Sequence, residues 1–207
     1  MITRSLLITA GVLALGLASS PAAAQPASGR IDVPPMPATL EVPAGHVVFL
    51  EGQAVGTQNY ICMPAPAGVA WKFLGPQATL FLSMQGDLEQ QIATHFLSAN
   101  PAENGTPRPT WQQSFDTSQV WGRVKASSTD SNYVAPGAIP WLLLESAASA
   151  LGPAGGSWLT ETTFIQRLNT SGGIAPATGC SQPGEVGAVA LVPYTTDYFF
   201  YKARRRP

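Results

Sequence analysis

The sequence predicts an all-β fold, an antiparallel β-sandwich or barrel, and three observations lead there. Short apolar runs with β-branched or aromatic members recur along the chain, separated by turn residues. Turn formers are abundant, with 20 Gly and 19 Pro. The run 158–168 alternates, with Trp158, Thr160, Thr162, Phe164 and Gln166 on one face and Leu159, Glu161, Thr163, Ile165 and Arg167 on the other. Many short strands between such turns argue for a sandwich or a barrel.

Residues 1–24 read as a cleaved export signal. Arg4 supplies a positive start, Ser5 to Ser19 is apolar, and Pro21-Ala22-Ala23-Ala24 places small residues before a cut at Gln25. That apolar stretch is shorter than the roughly 20 residues a spanning helix needs. After the cut no stretch is apolar enough to cross a bilayer as a helix. Residues 25–43 form a Pro- and Ala-rich extended lead-in, 44–202 a single β domain and 203–207 a basic tail.

Within the domain, strands are expected at 46–51, 56–62, 69–74, 78–84, 110–115, 119–126, 158–168, 188–192 and 197–202. One short helix is expected near 140–151. Pro140 suits a first helical turn, Trp141, Leu144, Ala148 and Leu151 share one helical face, and Gly152-Pro153 stops the run. Residues 98–109, with Asn100-Pro101, Asn104-Gly105 and Pro107-Arg108-Pro109, form the most loop-like interior segment.

Charge is sparse, at 11 % of residues. From Gln25 to Tyr201 six basic side chains stand against twelve acidic ones, a net of −6. No basic face exists to neutralise a phosphate backbone, so nucleic acid is not an expected partner. The tail residues Lys202, Arg204, Arg205 and Arg206 read as a solvated terminus. Two cysteines in an exported chain read most simply as one disulfide, Cys62–Cys180. It would close a loop of more than half the chain, for which chain entropy assigns ~4–5 kcal/mol. A redox pair would want close C-x-x-C spacing, and a metal site more ligands than His46 and His95 supply, so no metal or cofactor is expected.

Tyr60-Ile61-Cys62, Trp71 and Pro76-Gln77-Ala78-Thr79-Leu80 are followed by His95-Phe96 and Pro109-Thr110-Trp111. Then come Ile139-Pro140-Trp141-Leu142-Leu143-Leu144, the run from Phe164 to Pro176 with its Gly172-Gly173 turn, and the aromatic run from Val192 to Tyr201. In these motifs the chain, from about Tyr60 to Tyr201, resembles an uncharacterised family of secreted bacterial and fungal proteins, described only as a domain of unknown function. The resemblance implies secretion and an all-β domain, and it brings no activity, cofactor or catalytic residue. The chain departs from the family pattern in two places. Residues 97–108 lengthen the step from the His-aromatic pair to Pro-Thr-Trp, and Asp116-Thr117-Ser118 stands where Asp-Gly-Ser is usual.

His95, the only mid-chain histidine, is a candidate general base if Asp87, Glu89 or Asp116 orients its ring. A histidine bonded to backbone is the plainer alternative. Asp87 and Glu89 are also candidate paired acids, with Asp116 and Asp197 as possible partners across a cleft, although turn carboxylates more commonly cap and solvate. No G-x-S-x-G surrounds a serine, and no P-loop or G-x-G-x-x-G occurs. The aromatic side chains Trp111 and Tyr198 are candidate stacking surfaces as well as core filling. Arg167, set among apolar neighbours, is a candidate carboxylate anchor; a structural pairing with Glu161 or Asp197 is its plainer role.

These readings favour a secreted or periplasmic, non-catalytic β domain, acting as a binding or envelope-associated module for a glycan or small apolar ligand. A hydrolase using His95 with Asp116 or Asp87 is the enzymatic alternative. A structural or stress-protective secreted protein is the third reading.

Overall fold

Successive side chains of a strand point to opposite faces, and several strands of this chain carry large apolar groups on both. The computed structural model, which describes residues 31–83 and 89–205, buries both faces around one closed sheet. Eight strands run antiparallel in chain order: β1 (His46–Ala65), β2 (Gly68–Ser83), β3 (Glu89–Asn100), β4 (Thr106–Gln113), β5 (Gln119–Ser128), β6 (Trp141–Ala150), β7 (Thr162–Gly172) and β8 (Val189–Ala203). β8 pairs back onto β1, so the sheet is a barrel without edges. The all-β class holds, and of the two architectures the barrel is the one formed. Among the described residues, helical structure is limited to 3-10 turns at Ala38–Leu40, Pro101–Glu103 and Pro183–Glu185. None of them is long and apolar enough to cross a membrane.

The interior is one apolar cluster that includes Leu50, Leu80, Ile92, Trp111, Leu144, Ile165, Tyr198 and Phe200. A second cluster lies on the other face of β6, β7 and β8, where Trp141, Leu143, Leu168, Phe199 and Tyr201 meet Leu40. Ile31, Val33, Met36 and Val42 pack against the same cluster. Residues 31–43 are therefore extended but not loose. The Gln166 side chain fixes them by donating to the Leu40 carbonyl at 2.6 Å while accepting from the Tyr201 hydroxyl at 2.7 Å.

This double burial corrects the helix expected near 140–151, which is strand β6. Leu142 and Leu144 point to the interior, and Trp141 and Leu143 to the outer cluster. A run that is apolar on both faces loses its alternation and cannot be told from a helix by periodicity. Other corrections share a cause. The separate runs at 46–51 and 56–62 are one strand, β1, and 69–74 with 78–84 likewise merge into β2. Gly56 is a place of close approach rather than a break, since a Cβ there would sit 2.2 Å from the Gln77 carbonyl. The run expected from 158 enters strand only at Thr162.

The loop-like segment 98–109 is mostly the end of the β3–β4 hairpin. Its turn is confined to Pro101–Gly105, with Asn104 and Gly105 at φ 52° and 80°, as Asn-Gly prefers. Glu103 clamps that turn by accepting from Arg108 and Asn100. Cys62 and Cys180 are bonded, with Cα atoms 5.4 Å apart, tying the end of β1 to the β7–β8 connection.

Leu40 is fully buried beneath the sheet's outer face, which makes it the sharpest probe of the lead-in. Leu40→Ala should lower unfolding free energy by about 2–5 kcal/mol in chemical denaturation. A loss below about 0.5 kcal/mol, the usual size of a surface change, would mean that residues 31–43 only rest on the barrel.

Candidate functional site

In an up-and-down barrel alternate connections gather at opposite ends. The β2–β3, β4–β5 and β6–β7 connections share one end, and the β1–β2, β3–β4, β5–β6 and β7–β8 connections the other. The first end is plugged. Asp116 in the β4–β5 turn accepts from Ser118 N and Oγ and from Trp158 N. Ser118 Oγ in turn accepts from Leu159 N, and Leu159 is fully buried in the interior cluster. Partial desolvation pushes the Asp116 carboxyl up, but hydrogen bonds from Trp158, Ser118 and Ser157 together outweigh it and hold the group below its usual range.

Toward the other end, inward residues from all eight strands line a cavity of about 270 Å³. Its wall is mostly apolar, and at its rim Phe73 is 45 % and Val124 50 % exposed. An eight-stranded barrel is wide enough either to fill with side chains or to hold one small ligand, and this one fills one half and hollows the other.

Four residues singled out separately in the sequence meet in this cavity: His95, Trp111, Arg167 and Tyr198. β3 and β4 set His95 directly opposite Trp111, and their rings stack at 4.3 Å with 10° between planes. Tyr198 meets both rings at steeper angles, at 5.1 and 5.2 Å. The added residues 97–108 lengthen the hairpin beyond this pair and leave its register intact. Arg167 stands opposite Leu142 on one side and Tyr198 on the other, so the three share one inward row.

His95 is buried, and its Nδ1 lies 2.9 Å from the Thr110 carbonyl oxygen. A carbonyl only accepts, so Nδ1 carries the hydrogen and Nε2 the lone pair. Burial, reinforced by the Arg167 charge, lowers the His95 pKa to about 3 against the opposing pull of the Thr110 bond. His95 is therefore neutral and a weak base. Its expected partner Asp116 is spent in the plug at the opposite end, and Asp87 lies outside the described residues. Among the described residues no carboxylate lines the cavity.

Arg167 donates from Nε and Nη2 to the Pro140 carbonyl at 3.2 and 2.8 Å, which leaves three of its five N–H groups. The expected pairing with Glu161 or Asp197 is not made. Glu161 is held by Lys202 and Arg205, and Asp197 accepts from Asn169 at 2.7 Å. Alternation gives the reason: Asp197 precedes inward Tyr198 and so faces outward, while Arg167 faces in. No carboxylate among the described residues stands within ion-pair distance of Arg167.

Gln58 Nε2, Trp111 Nε1 and Tyr198 Oη belong to cavity-lining side chains at most 2 % exposed, and none has a hydrogen-bond partner. Tyr194 Oη, next to Tyr198, is also unpartnered. These groups and Arg167 are close enough to influence the tyrosine titrations, but their contacts fall short of hydrogen-bond geometry. Desolvation is the largest effect on Tyr198 and raises its pKa. Gln58 was not singled out from the sequence. The available signal was parity, since Ala54, Gln58 and Cys62 alternate along β1 and all three are buried.

Between pH 6.5, the ordinary histidine pKa, and about 3, the unfolded chain binds a proton at position 95 that the folded protein excludes. Stability therefore falls as pH drops through that window. His95→Gln keeps a donor for Thr110 and should shrink the difference in unfolding free energy between pH 7 and pH 4.5. An undiminished difference would show that the imidazole is not held neutral.

No curated protein and no solved structure matches the chain. A family model does match, over residues 43–202, which takes in all eight strands but for the last residue of β8 and every cavity residue named above. The chain belongs to the DUF3455 family, a protein family of unknown function.

Proposed function

We propose that this protein is an extracytoplasmic, non-catalytic binding module whose barrel cavity takes a small apolar ligand. The convergence of His95, Trp111, Arg167 and Tyr198 on one mostly apolar cavity carries the reading. Concave sites with apolar walls and a few convergent polar groups are the usual form of small-molecule sites. The volume of about 270 Å³ lies below the roughly 300–1,000 Å³ of drug-sized pockets, which suits a ligand of about one ring. A glycan is a poorer fit, because the wall offers one amide and no carboxylate to a set of sugar hydroxyls. Hydrolysis is disfavoured by the carboxylate-free surroundings of His95 and by its low basicity.

The location rests on the export-like residues 1–24 and on the Cys62–Cys180 bond, which persists in oxidising compartments.

Titration with neutral one-ring compounds such as phenol, benzyl alcohol and benzamide should alter tryptophan fluorescence and release heat at a single site. Leu142→Trp, which fills the cavity from β6, should abolish both signals while the protein still melts cooperatively. Binding that survives the filled cavity would place the ligand elsewhere, and no binding by any compound would remove the reading. Protein recovered from its native host should begin at Gln25 and gain about 2 Da on reduction as the single bridge opens. A cytoplasmic, uncleaved chain with free thiols would sink the location.

A further inference from the structure

We infer that the cavity selects small apolar monocarboxylic acids, with the acid group seated on Arg167 and Tyr198 and the apolar body along Trp111 and Phe73. The inference rests on the reading of the cavity as a ligand site and names the class of ligand.

Among the described residues that line the cavity, Arg167 brings the only charged side chain, a guanidinium, since no carboxylate lines it and His95 is neutral. The Pro140 carbonyl occupies its Nε–H and one Nη2–H, so the guanidinium is held in place without being neutralised. What remains is both Nη1–H groups and the second Nη2–H, the end-on fork that accepts a carboxylate through two parallel bonds. The acids nearest in sequence and register, Glu161 and Asp197, are engaged with Lys202, Arg205 and Asn169. A buried or half-buried cation is stable when an anion pairs with it, and here the protein supplies none among the described residues.

The neighbouring polar groups have the same sense. Tyr198 stands opposite Arg167 in register and is 1 % exposed with its hydroxyl unpartnered. Gln58, 2 % exposed, has an unpartnered amide nitrogen, a donor only. Buried polar groups without partners cost free energy, and donors gathered beside one cation are satisfied together by an oxygen anion. An amine ligand would meet the charge of Arg167 with no carboxylate to balance it.

Charge count then separates acids from one another. His95 stays neutral, so it adds no second positive charge. A dianion such as a phosphate monoester would leave one negative charge uncompensated in an apolar wall, whereas a carboxylate brings one.

The test uses the purified full chain and matched one-ring ligands: phenylacetate, 2-phenylacetamide, 2-phenylethanol, phenethylamine and phenyl phosphate, compared by calorimetry at pH 7. Phenylacetate should bind at least tenfold more tightly than each of the other four. Arg167→Gln should weaken phenylacetate at least tenfold and so remove that preference, and Arg167→Lys should restore part of it. The wild-type series stands alone if Arg167→Gln does not fold. Neutral ligands that bind as tightly as phenylacetate would overturn the acid class while leaving the cavity a ligand site. Tighter binding of phenyl phosphate would overturn the single-charge argument. If no compound binds at all, the ligand-site reading falls with it.

Discussion

The seam between β8 and β1 turns a meander of strands into a barrel, and β8 can hold that seam because both its faces are covered. Tyr194, Tyr198 and Phe200 face the interior, and Phe199 and Tyr201 face outward. Left open, the outer face would show two aromatics and Leu168 to water. Residues 31–43 lie over it, with Leu40 at the centre and Gln166 tying cover to sheet. At about 25 cal/mol per Å² of apolar surface buried, covering aromatic side chains is among the largest single gains available to a small domain. The cavity depends on the same seam, since Tyr198 forms its wall and Arg167 is placed by pairing with β8.

Closure also explains how the two ends divide their tasks. The plugged end uses short-range polar contacts. Asp116 and Ser118 hold the β6–β7 connection against the β4–β5 turn, and this connection passes so close that a Cβ at Gly152 would lie 1.8 Å from the Asp116 carbonyl. Thr117 occupies the centre of that turn at φ 57°, a left-handed conformation that a β-branched residue adopts only when its surroundings demand it. The cavity end is held by longer-range ties. The disulfide anchors the β7–β8 connection to β1, and Trp71 Nε1 donates to the Thr178 carbonyl. Tyr60 reaches from β1 to the Gly173 carbonyl at 2.7 Å. A rigid frame around a hollow requires such ties, because a hollow lacks the packed side chains that would otherwise fix the strands.

What the sequence disclosed follows from what periodicity can and cannot carry. Fold class was legible because turn formers and β-branched runs are local signals. Strand β6 was not, because Trp141 through Leu144 is buried on both faces and the cover over one of them comes from a hundred residues earlier. β3 escaped because it opens with the polar Glu89-Gln90-Gln91. Strand β1 was read as two runs, 46–51 and 56–62, although Gly52 and Gly56 stand where the barrel needs close strand approach. His95, Trp111, Arg167 and Tyr198 could be named one by one as chemically able residues. Their convergence could not, since they stand on four strands, β3, β4, β7 and β8, that only the closed register brings together. The pairing of Arg167 with Asp197 failed on parity, which depended on knowing which face is the inside, and the pairing with Glu161 failed because β7 begins only at Thr162 and Glu161 is held by Lys202 and Arg205.

The placement of unpartnered polar atoms separates architecture from function. A barrel interior built for stability alone would carry an apolar side chain at position 58 and Phe at position 198, because each buried donor without an acceptor costs about 1–3 kcal/mol. Elsewhere in the barrel several polar groups do find partners: Thr170 donates to the Ile139 carbonyl, Thr196 to the Leu168 carbonyl, and Gln166, on the outer face, serves the cover. Of the seven buried polar atoms without partners among the described residues, Gln58 Nε2, Trp111 Nε1 and Tyr198 Oη belong to the cavity wall and Tyr194 Oη lies beside it. Such groups, gathered around Arg167, which has no ion-pair partner among the described residues, reduce stability locally. The other three, Gln113 Nε2, Trp141 Nε1 and Thr162 Oγ1, lie away from the cavity, so the hollow carries the larger share of the penalty, as a site held ready for an oxygen-bearing ligand requires.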